Sequence, residues 1–563
     1  MKSIYEEKPW IKYYPEGVPS EVEIISRSLS DAFEESVGRW QKKDAIVFYG
    51  RNMNYLELKE EVDRFATALY DLGIRKGDTV AILLLNSPQF IIAYYAVFKL
   101  GAMATLINPM YVSPEIKNQI ENSQAKDIVC LNIFFKNVAK TGIEFRNVIL
   151  SDMGDYLPKY KKLLGKSPLS AIYKKMALPS PKIYEAKGFY EMSKLIGKYP
   201  PNPHKITIIP EEDIATLQYT GGTTGLPKGA MLTHYNYLAN EAQYNAFLRP
   251  ILTDGKEIIA AYMPFYHAAA QVYLINGLLR GYTLVIASTT DLDDILRDIE
   301  KYGVTVFIGA PTMFDLLKDY EKTNRVNWKK LNLILSGADA LHEDTTKGWE
   351  RRTGVKIVEA YGMSEAVAAT HCNPNNRIKV GSFGIPLPSM MSAIIHSEED
   401  KFIDMGEIGE IGIKGPSVMK GYWRDEKETQ MKFANINGEL WMRTGDLGKM
   451  DDEGYFYFFD RKKDMIKYKG HAVFAREVEE IIKNHPNVKD AGVVGVPDQK
   501  SGELIKAVVV LENDARGKLT EEDIVKYCEE KLSHFKIPKI VEFRGEIPKT
   551  DVGKVSRREL REE

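Results

Sequence analysis

The sequence has little cysteine and no long apolar run. Its three cysteines, Cys130, Cys372 and Cys528, lie far apart and form no CxxC pair, which excludes a disulfide framework and a zinc knuckle. Polar residues interrupt the most apolar stretch, residues 79–107, so no segment reaches the roughly 18–20 apolar residues that cross a bilayer. The first ten residues also lack the apolar run of a secretory signal. We therefore expect a soluble cytoplasmic protein in a reducing compartment.

A strong excess of charge of either sign is missing as well. The 563 residues include 76 Lys and Arg against 78 Asp and Glu, which gives a net charge of −2. Nucleic-acid binders are normally basic, so no nucleic-acid partner is expected. Hydrophobic residues make up 44% and charged residues 27%, as in ordinary globular proteins. This composition excludes global disorder, and the length predicts more than one domain.

Apolar strands alternate with amphipathic helices in two blocks of the chain. The first block has a helix over 55–74, a strand over 80–85, a helix over 89–100 and a strand over 103–107. The second block has strands at 258–263, 283–287, 304–309, 331–335 and 355–358, with a helix over 292–302. Uninterrupted apolar strands of this kind imply parallel sheets covered on both faces. The pattern predicts an α/β fold with a large body of two related sheets.

Beyond about residue 406 the pattern changes to short strands with frequent glycines, followed by the charged run 460–464. The chain then continues as a mixed unit of about 100 residues, enough for an independent domain. We predict a large N-terminal domain over 1–459 that ends in a β-rich part. A linker over 460–464 then joins it to a small mobile α+β domain over 465–563.

Two finer predictions concern the small domain. Strands are expected at 488–496 and 505–511. Thr520 with Asp523 has the spacing of a capping box, so a helix is expected to begin there. Cys528 falls on the apolar face of that helix and is interpreted as an inert core thiol.

A lysine-rich segment, residues 159–187, contains eight lysines and a single acidic residue among apolar side chains. It has two interpretations. A basic amphipathic element would make peripheral contact with anionic lipid at the inner membrane face. Alternatively, the segment is a solvated surface excursion between the two sheets, and we favour this second interpretation.

The strongest functional signal is the sequence YTGGTTGLPKG at residues 219–229. Its glycines let the backbone approach an anion, its threonines add hydroxyl donors, and its lysine adds a compact positive charge. A Walker A loop is excluded, because proline and glycine flank the lysine where glycine and Ser/Thr are needed. We predict phosphate binding by Thr220, Gly221, Gly222, Thr223, Thr224, Gly225 and Lys228.

Further polar motifs follow predicted strands downstream. They are PFYH at 264–267, SGADA at 336–340, EAYGMSE at 359–365, WMRTGDL at 441–447 and PKTDVGK at 548–554. Open α/β sheets bind ligands beyond the carboxyl ends of their strands, where several of these motifs fall. Together with the phosphate loop, their number and order resemble the adenylate-forming superfamily. That superfamily includes acyl-CoA synthetases, luciferases and the adenylation domains of peptide synthetases.

The resemblance implies a role for each motif. Tyr361 would stack on adenine, Asp446 would accept hydrogen bonds from both ribose hydroxyls, and Glu365 would bind Mg²⁺. His267 would lie beside the substrate carboxylate. The implied nucleotide-binding residues are Gly337, Ala338, Asp339, Glu359, Ala360, Tyr361, Gly362, Met363, Ser364, Asp446, Phe458 and Arg461. Ser364 stands where the superfamily usually has threonine, and this change keeps the hydroxyl.

The resemblance also assigns the moving parts. Lys463 would be the hinge, and Lys554 would contact the substrate carboxylate and the α-phosphate during adenylation. Lys467 and Gly470 would enter the site for thioester formation with coenzyme A. Ala472 and Ala475 depart from the asparagine and proline of many relatives, which weakens any detailed placement of coenzyme A.

The implied activity is that of an AMP-forming acyl-CoA synthetase. A fatty acid would react with Mg·ATP to give acyl-AMP and pyrophosphate, and coenzyme A would then displace AMP. The apolar run 268–274 after His267 suits an acyl pocket or a helix core equally well. The alternatives are a ligase for a short, hydroxy or aryl acid, and an adenylase that loads a separate carrier protein. A homodimer stays open beside a monomer.

Overall fold

The computed structural model describes most of the chain. The described residues are 4–158, 186–220, 227–287, 291–469, 471–498, 500–549 and 555–562. Within these ranges the chain has the α/β architecture that the sequence predicts, with four sheets covered by helices. No helix in the described part is long and apolar enough to cross a membrane.

The larger of the two predicted sheets has nine strands among the described residues. Their spatial order is Ile385–Pro386, Ala369–Cys372, Val358–Gly362, Leu333–Ser336, Val306–Gly309, Ile258–Ala261, Thr283–Ile286, Asp44–Phe48 and Arg51–Asn54. The central strands pair in parallel and the strands at both edges pair antiparallel. The parallel strands are almost wholly buried because helices cover both faces.

The second sheet is its seven-stranded counterpart, again counted over the described residues. Its order is Phe189–Glu191, Asn147–Ser151, Asp127–Leu131, Thr79–Leu83, Met103–Leu106, Ile214–Thr220 and Lys228–Thr233. Every pair is parallel except the last, in which the chain returns antiparallel after the phosphate loop. The loop is therefore anchored at both ends by neighbouring strands of one sheet.

Helices pack on both sheets and between them. Those of the large body are Leu29–Trp40, Tyr55–Asp71, Pro88–Lys99, Ser113–Ser123, Phe135–Ala139, Met192–Lys198, His234–Leu248, Ala268–Gln271, Leu292–Tyr302, Pro311–Asp319, Glu343–Thr353 and Glu426–Lys432. The predicted helix over 292–302 is confirmed with both of its ends. Asp291 caps its N-terminus and Gly303 ends it with a φ of 64°, a left-handed conformation that glycine adopts without steric cost.

A β-rich part follows, as predicted. It is an antiparallel sheet of Met391–Ile395, Gly409–Lys414, Glu439–Met450, Phe433–Ile436 and Phe456–Arg461. The last strand carries the chain into the charged run, where Lys462–Asp464 form one turn of 3₁₀ helix. The first two residues of the run therefore belong to a strand and the last three to a helical turn.

The C-terminal unit has its own sheet and its own core. The strands are His471–Val473, Ile466–Tyr468, Gly502–Leu511, Val488–Asp498 and Ile540–Phe543, and the helices are Ala475–Lys483, Glu521–Glu529 and Arg557–Glu562. The capping box of Thr520 with Asp523 is confirmed. Cys528 is buried, as predicted, and burial raises the pKa of its thiol to about 11, which keeps the thiol protonated and inert.

Most predicted strands differ from the observed ones by a few residues at their ends, and one of them is displaced almost completely. The strand expected at 355–358 begins at Val358 and continues to Gly362. It continues because residues 360–362 pair antiparallel with Ala369–Cys372, a partner that the local sequence pattern does not reveal. This extension places the whole EAYG motif on a strand instead of in a loop.

Candidate active site

The motifs of the larger sheet converge at the carboxyl ends of its strands. Gly337 follows strand Leu333–Ser336, and its amide donates to the Gly309 carbonyl at 3.2 Å. Ala338 has a φ of 72°, a strained value for a residue with a side chain. A Cβ on Gly337 would lie 3.4 Å from the carbonyl oxygen of Ala360. The SGADA and EAYGMSE motifs are thus in direct backbone proximity.

Tyr361 and Asp446 meet at this edge although 85 residues separate them. The Tyr361 hydroxyl donates to Asp446 Oδ2 at 2.7 Å, and the Arg461 Nε lies 3.7 Å from Asp446 Oδ1. Burial raises the pKa of Tyr361 well above its usual value, so the hydroxyl remains a donor. The Tyr361 ring stacks on Phe383, with centroids 4.3 Å apart. The predicted adenine and ribose ligands therefore form one cluster.

Glu365 is a buried carboxylate beside this cluster. Tyr422 donates its hydroxyl to Glu365 Oε1 at 2.7 Å, and Lys432 Nζ lies 3.8 Å from the same oxygen. The described residues contain no group of three or more His, Cys, Asp or Glu that could bind a metal by themselves. A single carboxylate such as Glu365 fits Mg²⁺, which is commonly bound through one or two carboxylates together with substrate phosphates.

Lys228 begins the strand that leaves the phosphate loop. Its ammonium pairs with the Glu428 carboxylate and lies 5.7 Å from the Tyr422 ring centroid. The loop lysine and the predicted metal ligand Glu365 therefore both lie next to the Tyr422 side chain. The loop itself, residues 221–226, lies outside the described part of the chain. The roles predicted for its residues therefore stay predictions, namely those of Gly221, Gly222, Thr223, Thr224 and Gly225.

Glu359 is a second buried carboxyl group in the site. Burial raises its pKa to about 7, and the opposing effect of the Arg476 guanidinium is smaller. Arg476 lies 5.3 Å from the Phe458 ring centroid, so one cation links the predicted nucleotide residues to the C-terminal unit. Arg476 belongs to none of the motifs that the sequence reveals, so its place in the site could not be predicted.

His267 lies at the start of the apolar helix, where its Nδ1 accepts a hydrogen bond from the Ala269 amide at 3.2 Å. The preceding turn is held from two directions. Gln218 Nε2 donates to the Tyr266 carbonyl at 3.0 Å, and Asn86 bonds both the Met263 carbonyl and the Phe265 amide at 2.8 Å. In the sequence Asn86 only interrupts an apolar stretch, whereas the structure makes it a support of the His267 loop.

The run after His267 is helical and buried. Ala268–Gln271 are α-helical and Val272–Gly277 continue as a π-helix, a form that occurs frequently at functional sites. Tyr244, Tyr273 and Gly277 help to line a mostly apolar cavity of about 20 Å³ at its far end. The two sequence interpretations of this run therefore coincide, because it is both helix core and a wall beside a cavity.

The linker is held by a cluster of ion pairs centred on Arg557. Its guanidinium lies 3.2 Å from both Asp460 Oδ1 and Asp464 Oδ2, and 3.1 Å from Glu479 Oε1. The predicted hinge, Lys463, lies between the two aspartates, and burial lowers the pKa of its ammonium. Sequence reasoning missed Arg557, although it stands three residues after Lys554.

The predicted thioester-forming residues lie on the C-terminal unit. Lys467 is exposed on strand Ile466–Tyr468, and its amide donates to Glu503 Oε2 at 2.7 Å. Gly470, Lys554 and residues 159–185 lie outside the described residues. Their predicted roles in thioester formation, adenylation and lipid contact rest on the sequence.

The chain is similar to known proteins over nearly its whole length. A family model described as AMP-binding enzyme matches residues 33–423, and the AMP-binding enzyme C-terminal domain matches residues 477–554. The long-chain-fatty-acid–CoA ligase of Escherichia coli O157:H7 is 36% identical over 567 residues, covering 99% of this chain and 98% of its own length.

Two solved structures of MatB from Rhodopseudomonas palustris are also similar. The ATP-bound form has a TM-score of 0.82 at 27% identity and covers 95% of this chain and 98% of its own. The apo form has a TM-score of 0.73 at 27% identity, with 96% and 99% covered. With its sequence motifs, its converging site residues and matches that span nearly its whole length, this chain belongs to the AMP-binding enzyme family.

Proposed function

We propose that the protein is an AMP-forming fatty-acid–CoA ligase. The observation that carries the proposal is the convergence of Tyr361, Asp446 and Arg461 in one cluster. Glu365 is connected to it through Lys432, whose ammonium lies 3.8 Å from Glu365 Oε1 and donates to the Thr444 carbonyl. Activation by ATP suits a carboxylate substrate, because a free carboxylate is a poor electrophile and its mixed anhydride with AMP has a good leaving group.

In the first half-reaction a carboxylate oxygen attacks the α-phosphorus of ATP. A new oxygen–phosphorus bond forms, the bond to the pyrophosphate oxygen breaks, and acyl-AMP and pyrophosphate result. Lys554 stabilises the charge that accumulates at the α-phosphate, and His267 lies beside the substrate carboxylate. Glu365 supplies a carboxylate oxygen to Mg²⁺, which when bound neutralises phosphate charge.

We assign the orientation of the nucleotide to Asp446 and Tyr361. Asp446 is an acceptor for the ribose hydroxyls. Tyr361 offers an aromatic face to adenine, and its ring is fixed by Phe383 behind it. The phosphates lie between the loop with Lys228 and the carboxylate of Glu365. This positioning supplies much of the rate enhancement, as in other phosphoryl chemistry.

In the second half-reaction the thiolate of coenzyme A attacks the acyl carbonyl carbon, and AMP leaves with the electrons of the broken carbon–oxygen bond. For this step the unit over 465–563 turns about Lys463 relative to the domain over 1–459. The turn withdraws Lys554 and presents Lys467 and Gly470. The separate hydrophobic core of the C-terminal unit supports such a rigid-body turn.

Two hypotheses concern partners rather than chemistry. The segment 159–187 would contact anionic lipid at the inner membrane face, and the chain would form a homodimer. Sedimentation with anionic and neutral vesicles tests the first, and light scattering at several protein concentrations tests the second.

The proposed activity is tested by AMP release with Mg·ATP across acids from acetate to palmitate, with and without coenzyme A. We expect release that requires coenzyme A and is greatest with medium or long chains. Maximal release with short, hydroxy or aryl acids would contradict the fatty-acid assignment. Pyrophosphate exchange without coenzyme A-dependent turnover would instead indicate a carrier-loading adenylase.

The Gly277→Leu variant should shorten the accepted acyl chain. The helical run from Ala268 to Gly277 spans at most about 14 Å, the length of nine α-helical steps of 1.5 Å, so only a long acyl chain that starts beside His267 reaches the cavity. A Cβ at residue 277 would already lie 3.2 Å from Ile259 Cδ1, and a leucine would fill the space. We expect the ratio of activity with palmitate to activity with octanoate to fall about tenfold. This is the size of effect expected when the pocket loses contact with one or two methylene groups of the substrate.

The matched control is Gly277→Ala, which adds one methyl group and should give a smaller change in the same ratio. Thermal unfolding of both variants measures the loss of stability caused by overpacking, which is typically about 1–3 kcal/mol. An equal loss of activity with palmitate and octanoate in the leucine variant would contradict an acyl path along this helix.

A further inference from the structure

The short helix Glu426–Lys432 packs directly beside the proposed triphosphate site. It begins at Asp425, whose carboxylate accepts the Glu428 amide at 3.1 Å. The Thr429 hydroxyl accepts the Tyr422 amide at 2.8 Å. Residues 421–423 bond the strand that starts at Lys228, with the Trp423 amide 2.8 Å from the Gly229 carbonyl. Hydrogen bonds therefore connect the segment just before the helix to the strand that begins at Lys228.

Two side chains of this helix point at the two groups that we assign to the triphosphate and its metal. Glu428 and Lys432 are four residues apart and so share one face. The Glu428 carboxylate pairs with the Lys228 ammonium. The Lys432 ammonium donates to the Thr444 carbonyl at 3.1 Å and lies 3.8 Å from Glu365 Oε1. Each nucleotide-binding group thus faces a side chain of opposite charge.

We propose that this helix is an internal counterion device, and that Mg·ATP binds by exchanging both ion pairs. The triphosphate takes the place of Glu428 on Lys228, and Mg²⁺ takes the place of Lys432 on Glu365. The inference rests on the proposed function, because it assumes that Lys228 and Glu365 bind the Mg-triphosphate. It assigns Glu428 and Lys432, which belong to none of the motifs, as residues that set the affinity for Mg·ATP.

The exchange has a definite electrostatic sign. A carboxylate next to Lys228 competes with phosphate oxygens for the ammonium and repels the triphosphate. An ammonium next to Glu365 competes with Mg²⁺ for the carboxylate. The side chains of Lys228 and Glu428 are each 36% exposed, so solvent moderates the first pair, whereas those of Lys432 and Glu365 are only 17% and 11% exposed.

Glu428→Gln removes the competing charge with little change in shape or helix propensity. We expect the Kd for Mg·ATP, measured by calorimetry at low ionic strength, to fall by up to about fivefold, the range of a half-exposed ion pair. The Kd for AMP should be unchanged, because AMP lacks the β- and γ-phosphates. The difference between variant and wild type should shrink at high salt.

Lys432→Met tests the second pair. At a fixed ATP concentration, the Mg²⁺ concentration that gives half-maximal nucleotide binding should fall about threefold or more.

Matched controls for both variants are available on the same helix, where Glu426 and Lys427 are exposed. Glu426→Gln and Lys427→Met make the same chemical changes away from the pairs and should leave both measurements unchanged.

The outcomes separate this inference from the proposed function. If wild-type protein binds no Mg·ATP, the proposed function fails. If it binds Mg·ATP and Glu428→Gln leaves the Kd unchanged or weakens it, the counterion device alone is wrong. Equal tightening for AMP and Mg·ATP would also overturn it, since the effect would then not involve the outer phosphates. A rise in the Mg²⁺ requirement of Lys432→Met would overturn the second exchange.

Discussion

Lys554→Ala should strongly slow acyl-adenylate formation while sparing thioester formation. In the proposed mechanism its ammonium stabilises charge that develops only as the α-phosphorus is attacked, and removal of one such preorganised group typically costs about 10²–10³-fold in rate. We expect a loss of that size in pyrophosphate exchange with Mg·ATP and fatty acid. Conversion of chemically prepared acyl-AMP to acyl-CoA should change by less than about threefold, because the proposed turn of the C-terminal unit would withdraw Lys554 during that step.

The control for this variant is Lys549→Ala in the same C-terminal motif. Lys549 lies five residues upstream, and its ammonium pairs with Asp490 Oδ2 at 2.8 Å, so its charge is engaged within the C-terminal unit. Both half-reactions should stay close to wild type in this control. An equal loss of both half-reactions in Lys554→Ala would contradict the proposed division of labour and would indicate a general loss of structure.

Arg557→Met should destabilise the C-terminal unit more than any other single change considered for this protein. The guanidinium is the shared partner of Asp460, Asp464 and Glu479, whose side chains are 1%, 5% and 6% exposed. Removing it leaves three buried carboxylates without their common cation. Breaking a buried ion pair from one side costs about 3–5 kcal/mol, and calorimetric unfolding should show a loss of this order.

The loss should also depend on pH with a definite sign. Burial raises the pKa of Asp460 even with Arg557 present, and loss of the cation raises it further. A carboxyl group with a raised pKa binds more protons in the folded state, so stability falls as pH increases through that pKa. The deficit of Arg557→Met relative to wild type should therefore be larger at pH 8 than at pH 5.

Arg561→Met is the matched control, four residues along the same helix. Arg561 makes a longer contact of 3.5 Å with Asp464, and its side chain is 29% exposed. Its replacement should cost less than about 1 kcal/mol, as is typical of exposed pairs. Similar losses in the two variants, or an identical pH dependence, would show that the three carboxylates do not depend on Arg557 as their central cation.

Local sequence patterns were sufficient for most of the elements. The helix over 292–302, the capping box at Thr520 and the alternation of buried strands with helices follow from side-chain periodicity and turn chemistry, which act within a few residues. The nucleotide-binding loops were also recognisable, because chemistry at a phosphate needs particular residue types at short, nearly invariant spacings. These patterns also led to the correct family.

The partners of those residues were decided only by the tertiary structure. Phe383 behind Tyr361, Glu428 on Lys228 and Arg557 on Asp460 join positions far apart in the chain, with 200 residues between the second pair and 97 between the third. No local pattern marks a residue as the counterion of another so distant. The sequence by itself therefore determined the fold class and the family, and it predicted the reacting groups. Only the packing of the sheets and the linker determined which opposite charges lie beside those groups, because ion pairs and buried contacts depend on distance in space and not along the chain.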